Sequence, residues 1–139
     1  MSETRYTLTV TEDQACAISA ACELLARLGM GQLDDALRFM PAPQDRDWQA
    51  FHDACRVATD AMQPVIRNKA GNLPRRHEQS AIAWDLYQVL RHRLAWDRAY
   101  ERGVVKPGDS RKWPAMLGVC YDEPLPMAEH PLATVVRNT

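Results

Sequence analysis

The sequence lacks any apolar run close to the roughly 18 residues that a membrane-spanning helix needs. Its opening residues are polar and then alternating, without the hydrophobic stretch of a secretory signal, so we expect a cytoplasmic protein with no membrane partner. The four cysteines, at positions 16, 22, 55 and 120, form no CxxC pair and no metal-ligand spacing. We therefore expect free thiols in a reducing compartment and predict no metal site.

Motifs of the common catalytic and cofactor-binding classes are also absent. The sequence contains no GxxxxGK[ST], GxGxxG, GxSxG or HExxH pattern. The four histidines are scattered, with no acid or nucleophile at an informative spacing. The pair Asp34 and Asp35 fits the negatively charged start of a helix better than a catalytic dyad. We therefore predict a protein that is not an enzyme and that uses no cofactor.

The charge is balanced over the whole chain but not along it. The 139 residues carry a net charge of −1, and their number and composition predict one globular domain over residues 1–139. Between Arg67 and Lys112, however, 11 basic residues stand against 5 acidic ones. A small anionic ligand would account for this local excess, and so would a solvated helix face. DNA-binding proteins are more strongly basic overall, so we expect no DNA partner.

Hydrophobic periodicity predicts both strands and helices. RYTLTVT at 5–11 alternates apolar and polar residues, as a half-buried strand does, and short strands are predicted at 118–121 and 133–136. Thr11 followed by Gln14 is a capping box that begins a helix. The predicted fold class is α+β, with a small antiparallel sheet built from both termini beside two long helices.

Four helices are predicted, over residues 12–28, 32–39, 48–62 and 78–101, with Asp47 capping the third and Pro64 beginning a connection. The first has an apolar stripe of Ala15, Ile18, Ala21 or Cys22, Leu25 and Leu28. The last has two stripes: Ile82, Leu86, Val89, Arg93 and Trp96, and then Ala83, Tyr87, Leu90 and Leu94. So wide an apolar arc has to pack against more than one surface. We expect the last helix to pack against the first helix and also against either the sheet or a second copy of the chain.

The corner RLGMGQ, between the first two helices, contains two glycines where one would end a helix. Gly29 is predicted to be a left-handed C-cap. Structurally, the segment is a turn between helices. Functionally, it would let a ligand approach the backbone near Gly31, with Arg27 supplying charge and Met30 an adaptable apolar surface.

A second group of candidate residues lies on the last predicted helix. It combines aromatic rings, which stack on bases, with side chains that can meet phosphate oxygens. Its members are Trp84, Tyr87, Arg91, His92 and Trp96. The alternative is that the aromatic residues belong to the core and that the arginines lie on a solvated face.

Three pieces of the chain resemble a family of small phage proteins. They are TLTVTEDQ, the corner RLGMGQ and the run AWDLYQVLRHRLAWDR, with GVCYDEPLP as weaker support. The resemblance is to the phage anti-Thoeris sponges, which bind and sequester the cyclic ADP-ribose signal of TIR-domain defence proteins. These pieces cover about half of the chain, and the stretch from Pro41 to Arg76 shows no resemblance.

The resemblance implies an oligomer of interlocking helices that acts in the infected bacterial host and holds a cyclic ADP-ribose-type nucleotide without cleaving it. Cyclic oligonucleotides are further candidate ligands. The implied ligand-binding residues are Arg27, Met30, Gln32, Tyr87, Arg91, His92 and Arg111. Position 92 departs from the family pattern, in which an amide is expected.

The sequence alone leaves a competing interpretation open. A structural or protein-interaction module of phage origin, which dimerises through its long helix, would also explain the wide apolar arc. A third interpretation is a nucleotide-processing enzyme with an unrecognised site. Incubation with the signal and recovery by heat would separate the three: intact release favours the sponge, no capture the interaction module, and an altered product the enzyme.

Overall fold

The computed structural model describes residues 4–103 and 134–137, and this part of the chain is helical. Helix α1 spans Glu12–Gly29, α2 spans Leu33–Leu37, α3 spans Trp48–Ile66 and α4 spans Ser80–Glu101, with a 3-10 turn at Gln44–Arg46. No strand occurs in the residues described, so the predicted antiparallel sheet and the α+β class are wrong for them.

The segment before α1 shows why alternation misled the strand prediction. Residues 4–11 form no regular element, and Tyr6 is 92% exposed and Leu8 is 72% exposed, so the two apolar side chains that the alternation would bury lie in solvent. Residues 134–137 are likewise irregular. The predicted strand at 118–121 lies outside the described residues, as does Ala133.

The start of α1 follows its sequence signal. The N–H of Gln14 donates to Thr11 Oγ1 at 3.2 Å, and the N–H of Thr11 donates to Gln14 Oε1 at 2.9 Å. These reciprocal bonds satisfy backbone donors that the first helical turn would otherwise leave unpaired. The predicted capping box is therefore confirmed.

Helices α1 and α4 pack against each other in antiparallel fashion, as contacts at both ends demonstrate. Near one end, Ser80 Oγ donates to the carbonyl of Ala26 at 2.9 Å. At the other, Arg98 Nε donates to Glu12 Oε1 at 2.8 Å. The prediction that the first helix is a partner of the last is thus confirmed.

The face that α1 turns inward differs from the predicted stripe. Its buried residues are Ser19, Glu23 and Ala26, whereas Leu25 and Leu28 are exposed. Two polar residues therefore lie inside the α1–α4 pair. Glu23 can be buried there because its carboxylate is paired with two arginines, as described below.

Helix α3 begins where predicted but extends further. Asp47 accepts a hydrogen bond from the N–H of Ala50 at 3.0 Å, which confirms the predicted cap. The helix continues through Pro64 to Ile66, because a proline in the last turn removes only one backbone hydrogen bond. Thr59 donates to Asp34, and this bond ties α3 to α2.

The remaining predicted bounds shift by a few residues: α2 is shorter than 32–39, and α4 begins at Ser80 rather than at 78. Within the described ranges, no helix combines the length and the apolar character that crossing a membrane requires.

Candidate functional site

The corner, residues 27–32, ends α1 with two backbone hydrogen bonds. The N–H of Gly31 donates to the carbonyl of Leu28, and the N–H of Gln32 donates to that of Arg27, both at 2.9 Å. This is a Schellman motif, and it needs a left-handed residue at Gly31, whose φ is +75°. The left-handed cap is therefore Gly31, and the prediction that Gly29 has this role was wrong.

Gly29 is needed for a different reason: the end of α1 meets the segment that leads into α4 at this position. A Cβ at this position would lie 2.9 Å from Ser80 Cβ and 3.0 Å from His77 Cβ. Its carbonyl also accepts from the N–H of His77 at 2.9 Å. At Gly31 the nearest neighbour of an added Cβ would be Ile66 Cδ1, at 2.7 Å. Gly29 is thus explained by packing within the chain, and Gly31 chiefly by its left-handed backbone conformation.

Arg27, the first residue of the corner, lies in a network of carboxylates. Its Nε donates to Glu23 Oε1 at 2.9 Å, and its Nη1 donates to Asp35 Oδ2 at 3.0 Å and to Gln32 Oε1 at 3.3 Å. Burial lowers the pKa of Arg27, but the hydrogen bond to Glu23 and the charge of Asp35 outweigh it, so the pKa lies above its usual value. The guanidinium also lies 5.6 Å from the centre of the Trp84 ring.

A cavity of about 540 Å³, which we call the groove, runs between α1 and α4. The lining residues from α1 are Cys16, Ser19, Ala20 and Glu23. Those from α4 are Tyr87, Arg91, Leu94, Ala95, Arg98, Ala99 and Arg102. The α4 residues recur at intervals of three and four, so one helix face brings a tyrosine and three arginines into the same space.

The groove has a different character at each of its ends. Near the corner, Tyr87 lies 5.1 Å from the Trp84 ring, centre to centre, and the guanidinium of Arg91 lies 5.9 Å from the centre of the Tyr87 ring. At the far end, Arg98 donates to Glu12 and also to Cys16 Sγ, at 2.8 Å in both cases. The hydrogen bond to Glu12 raises the pKa of Arg98 above its usual value. The guanidinium is therefore a permanent positive charge in the groove.

The structure brings some of the predicted ligand-binding residues together and separates others. Tyr87 and Arg91 line the groove, whereas Arg27 and Gln32 pair with each other in the corner outside its lining. His92 faces Trp96, with ring centres 6.4 Å apart, and Met30 is the C-cap residue of α1. Arg111 lies outside the described residues.

Several lining residues were not among the predicted candidates. They are Cys16, Ser19, Glu23, Arg98 and Arg102. The α4 pair could have been found by continuing the spacing from Arg91 by seven and eleven residues, which returns to the same helix face. The α1 set had no such signal, because sequence patterns indicated that its leucines, and not Ser19 and Glu23, would face inward.

A functional assignment has to start from the groove, because comparison with known proteins identifies no relative of this chain. Comparison with models of protein families gives no match for this chain. Neither a curated protein nor a solved structure matches it. Among residues 4–103 and 134–137, no three His, Cys, Asp or Glu side chains gather where they could hold a metal ion.

Proposed function

We propose that this protein binds an anionic nucleotide in the groove and holds it without chemical change. One observation supports the proposal: a tyrosine and three arginines on one face of α4 line a groove of about 540 Å³. They are Tyr87, Arg91, Arg98 and Arg102. Pockets for small molecules commonly enclose about 300–1,000 Å³. The groove therefore has the size for a nucleotide and the charge for its phosphates.

The chemistry of the lining favours phosphates and a base over other anions. A guanidinium presents a planar set of donors that matches phosphate oxygens in pairs. The ring of Tyr87 offers a flat apolar surface on which a base can stack. A simple dicarboxylate would use the arginines but not the ring.

Retention rather than catalysis is favoured by how the reactive groups of the groove are engaged. Glu23 is bound by Arg27 and Arg38, and Cys16 accepts from Arg98. Both are thus held by arginines, which suits a role in positioning a ligand. We infer a binding protein, and not an enzyme.

The resemblance to the anti-Thoeris sponges supplies the specific form of the proposal. The ligand is then a cyclic ADP-ribose-type signal, with cyclic oligonucleotides as further candidates. The protein would act as a homo-oligomer in the cytoplasm of the infected bacterial host and block Thoeris immunity by sequestering the signal.

The test is isothermal titration of the full chain with cyclic ADP-ribose, followed by recovery of the ligand after heating. We expect binding and release of intact ligand. Arg91→Ala should weaken binding at least tenfold, because a charge-assisted hydrogen bond is lost. The matched control is Arg56→Ala on α3, which removes an exposed arginine 3.6 Å from Asp53 and away from the groove. A parent protein that captures no cyclic nucleotide overturns the proposal, and so does release of an altered product.

A second candidate function is the protein-interaction module, favoured by a specific observation on α3. Val57, Met62 and Val65 are exposed there, Val65 by 79%. Several exposed apolar residues on one helix are typical of interfaces between proteins. A chain that is dimeric in light scattering at micromolar concentration, yet captures no nucleotide from a panel, would favour this function over the sponge.

A further inference from the structure

Arg98, at the far end of the groove, already holds an anionic group of the chain itself. Its Nε donates to Glu12 Oε1 and its Nη2 donates to Cys16 Sγ, at 2.8 Å in both cases. The Nε–H of a guanidinium and the Nη–H beside it form the edge that pairs with two oxygens of a carboxylate or a phosphate. Glu12 therefore occupies a donor that a bound phosphate would need, and Cys16 occupies its neighbour.

This contact lies where the phosphates of a nucleotide would be. Glu12 begins α1, so its contact with Arg98 is at the opposite end of the α1–α4 pair from the corner. Along α4, Arg91 lies one turn beyond Tyr87, and Arg98 lies two turns beyond Arg91, all three on the face that lines the groove. A base stacked on Tyr87 therefore has its phosphates on the arginine side of the groove.

The ion pair between Arg98 and Glu12 is exposed enough to exchange its anion. The two side chains are 45% and 50% exposed, respectively. Water competes for both partners of such a pair, so the pair contributes little to stability. The Sγ of Cys16 is only a weak acceptor. Glu23 differs, because its side chain is 11% exposed and is bound by two arginines. Glu12 is therefore the carboxylate of α1 that can leave its arginine.

We propose that Glu12 is an internal competitor of the ligand: its carboxylate takes the phosphate position on Arg98 in the free protein and leaves it when a nucleotide binds. The inference rests on the proposed function and deepens it, because it assigns a phosphate subsite to Arg98 and identifies the group that limits affinity there. A carboxylate tethered beside its arginine has a high effective concentration, so an anionic ligand binds more weakly than the groove would otherwise allow.

The test is titration calorimetry of the full chain with cyclic ADP-ribose, on the parent and on Glu12→Ala, with Asp13→Ala as the matched control. Asp13 is also an exposed acid in the first turn of α1, but its side chain lies about 100° away from that of Glu12 around the helix. Both variants remove one negative charge near the same helix end. Only Glu12→Ala frees the edge of Arg98, so it should bind about threefold to fivefold more tightly than Asp13→Ala.

A second set of variants shows whether the gain acts through Arg98. Arg98→Ala alone should bind at least tenfold more weakly than the parent, because the phosphate loses charge-assisted hydrogen bonds. Adding Glu12→Ala to this variant should then have no more effect than adding Asp13→Ala. A gain from Glu12→Ala that is equal with and without Arg98 overturns the inference, because the carboxylate would then act only through its charge at a distance.

Thermal unfolding of the ligand-free proteins distinguishes competition from a structural role. Glu12→Ala should lower Tm slightly, because it loses an ion pair, and should nevertheless raise the affinity. A purely structural Glu12 would lower both. If the parent binds and Glu12→Ala binds no more tightly than Asp13→Ala, only this inference is overturned. A parent that binds no cyclic ADP-ribose overturns the proposed function itself.

Discussion

Replacing Gly29 with alanine tests whether the corner is shaped by packing within the chain. Gly29 is the last residue of α1, and a Cβ there would approach Ser80 Cβ to 2.9 Å. Real Cβ atoms rarely come so close, so one of the two helices has to move. Ser80 cannot easily yield, because it is 2% exposed and its hydroxyl donates to Ala26.

Two opposing effects set the expected magnitude. Alanine is favoured over glycine within a helix by about 1 kcal/mol. Inserting a methyl group into a packed contact costs about 1–3 kcal/mol. Since the neighbours at Gly29 are rigid Cβ atoms, the cost should prevail, and we expect a net loss of about 1 kcal/mol. For 139 residues this corresponds to a fall in Tm of about 3–4 °C.

The assay is urea denaturation followed by circular dichroism, with Gly71→Ala and Gly31→Ala as companions. Gly71 has a φ of +78° and nothing within 4 Å of an added Cβ, so its variant reports the cost of the left-handed backbone alone, about 1 kcal/mol. Gly31 has a similar φ and lies against Ile66. Its variant should therefore lose more stability than Gly71→Ala.

The result that would refute this reasoning is a stabilised Gly29→Ala. Helix propensity alone predicts that sign. Its observation would mean that α1 and α4 do not approach each other at the corner as closely as 2.9 Å, and the groove between them would then have a different shape.

Three further predictions concern the elements that frame the groove. Ser80→Ala should cost about 1–2 kcal/mol in urea denaturation, because the buried carbonyl of Ala26 loses its side-chain donor; an unchanged midpoint would argue against that bond. Thr11→Ala should cost about 1 kcal/mol and expose the first turn of α1 to hydrogen exchange, while a silent variant would contradict the capping role. Burial raises the pKa of the Cys22 thiol above its usual value, so the contribution of this thiol to stability is complete below that usual value and is lost as the pH rises through the folded-state pKa. Urea midpoints of the parent and of Cys22→Ala should therefore converge or cross above pH 9, and a constant difference up to pH 11 would contradict this.

The helices illustrate what a local pattern can predict. Thr11 with Gln14, and Asp47 with Ala50, make their hydrogen bonds within four residues, and both were predictable from sequence. Alternation at Tyr6 and Leu8 failed as a guide, because a strand exists only when a second segment pairs with it. The alternating segment by itself does not show whether another segment will pair with it.

The candidate site was only partly predictable, again because a local pattern does not show which distant segment will pack against it. Tyr87 and Arg91 could be placed on one helix face from their spacing, and Arg98 lies on that face as well. That Glu23 lines the opposite wall depends on how α1 rotates about its axis when it packs. In the packed structure its carboxylate is paired with Arg27 and with Arg38, which comes from beyond the corner.

The sequence by itself determined where α1 and α3 begin, how they are capped and that Tyr87 and Arg91 share one face of α4, because these properties depend on neighbours within a turn or two. The tertiary structure decided which face of α1 is buried, why the corner needs Gly29 as well as Gly31, and that a carboxylate lies across from the arginines. Those features arise where residues more than fifty positions apart, such as Ala26 and Ser80, come into contact. The free energy of such contacts depends on the mutual fit of two surfaces, which no single segment specifies.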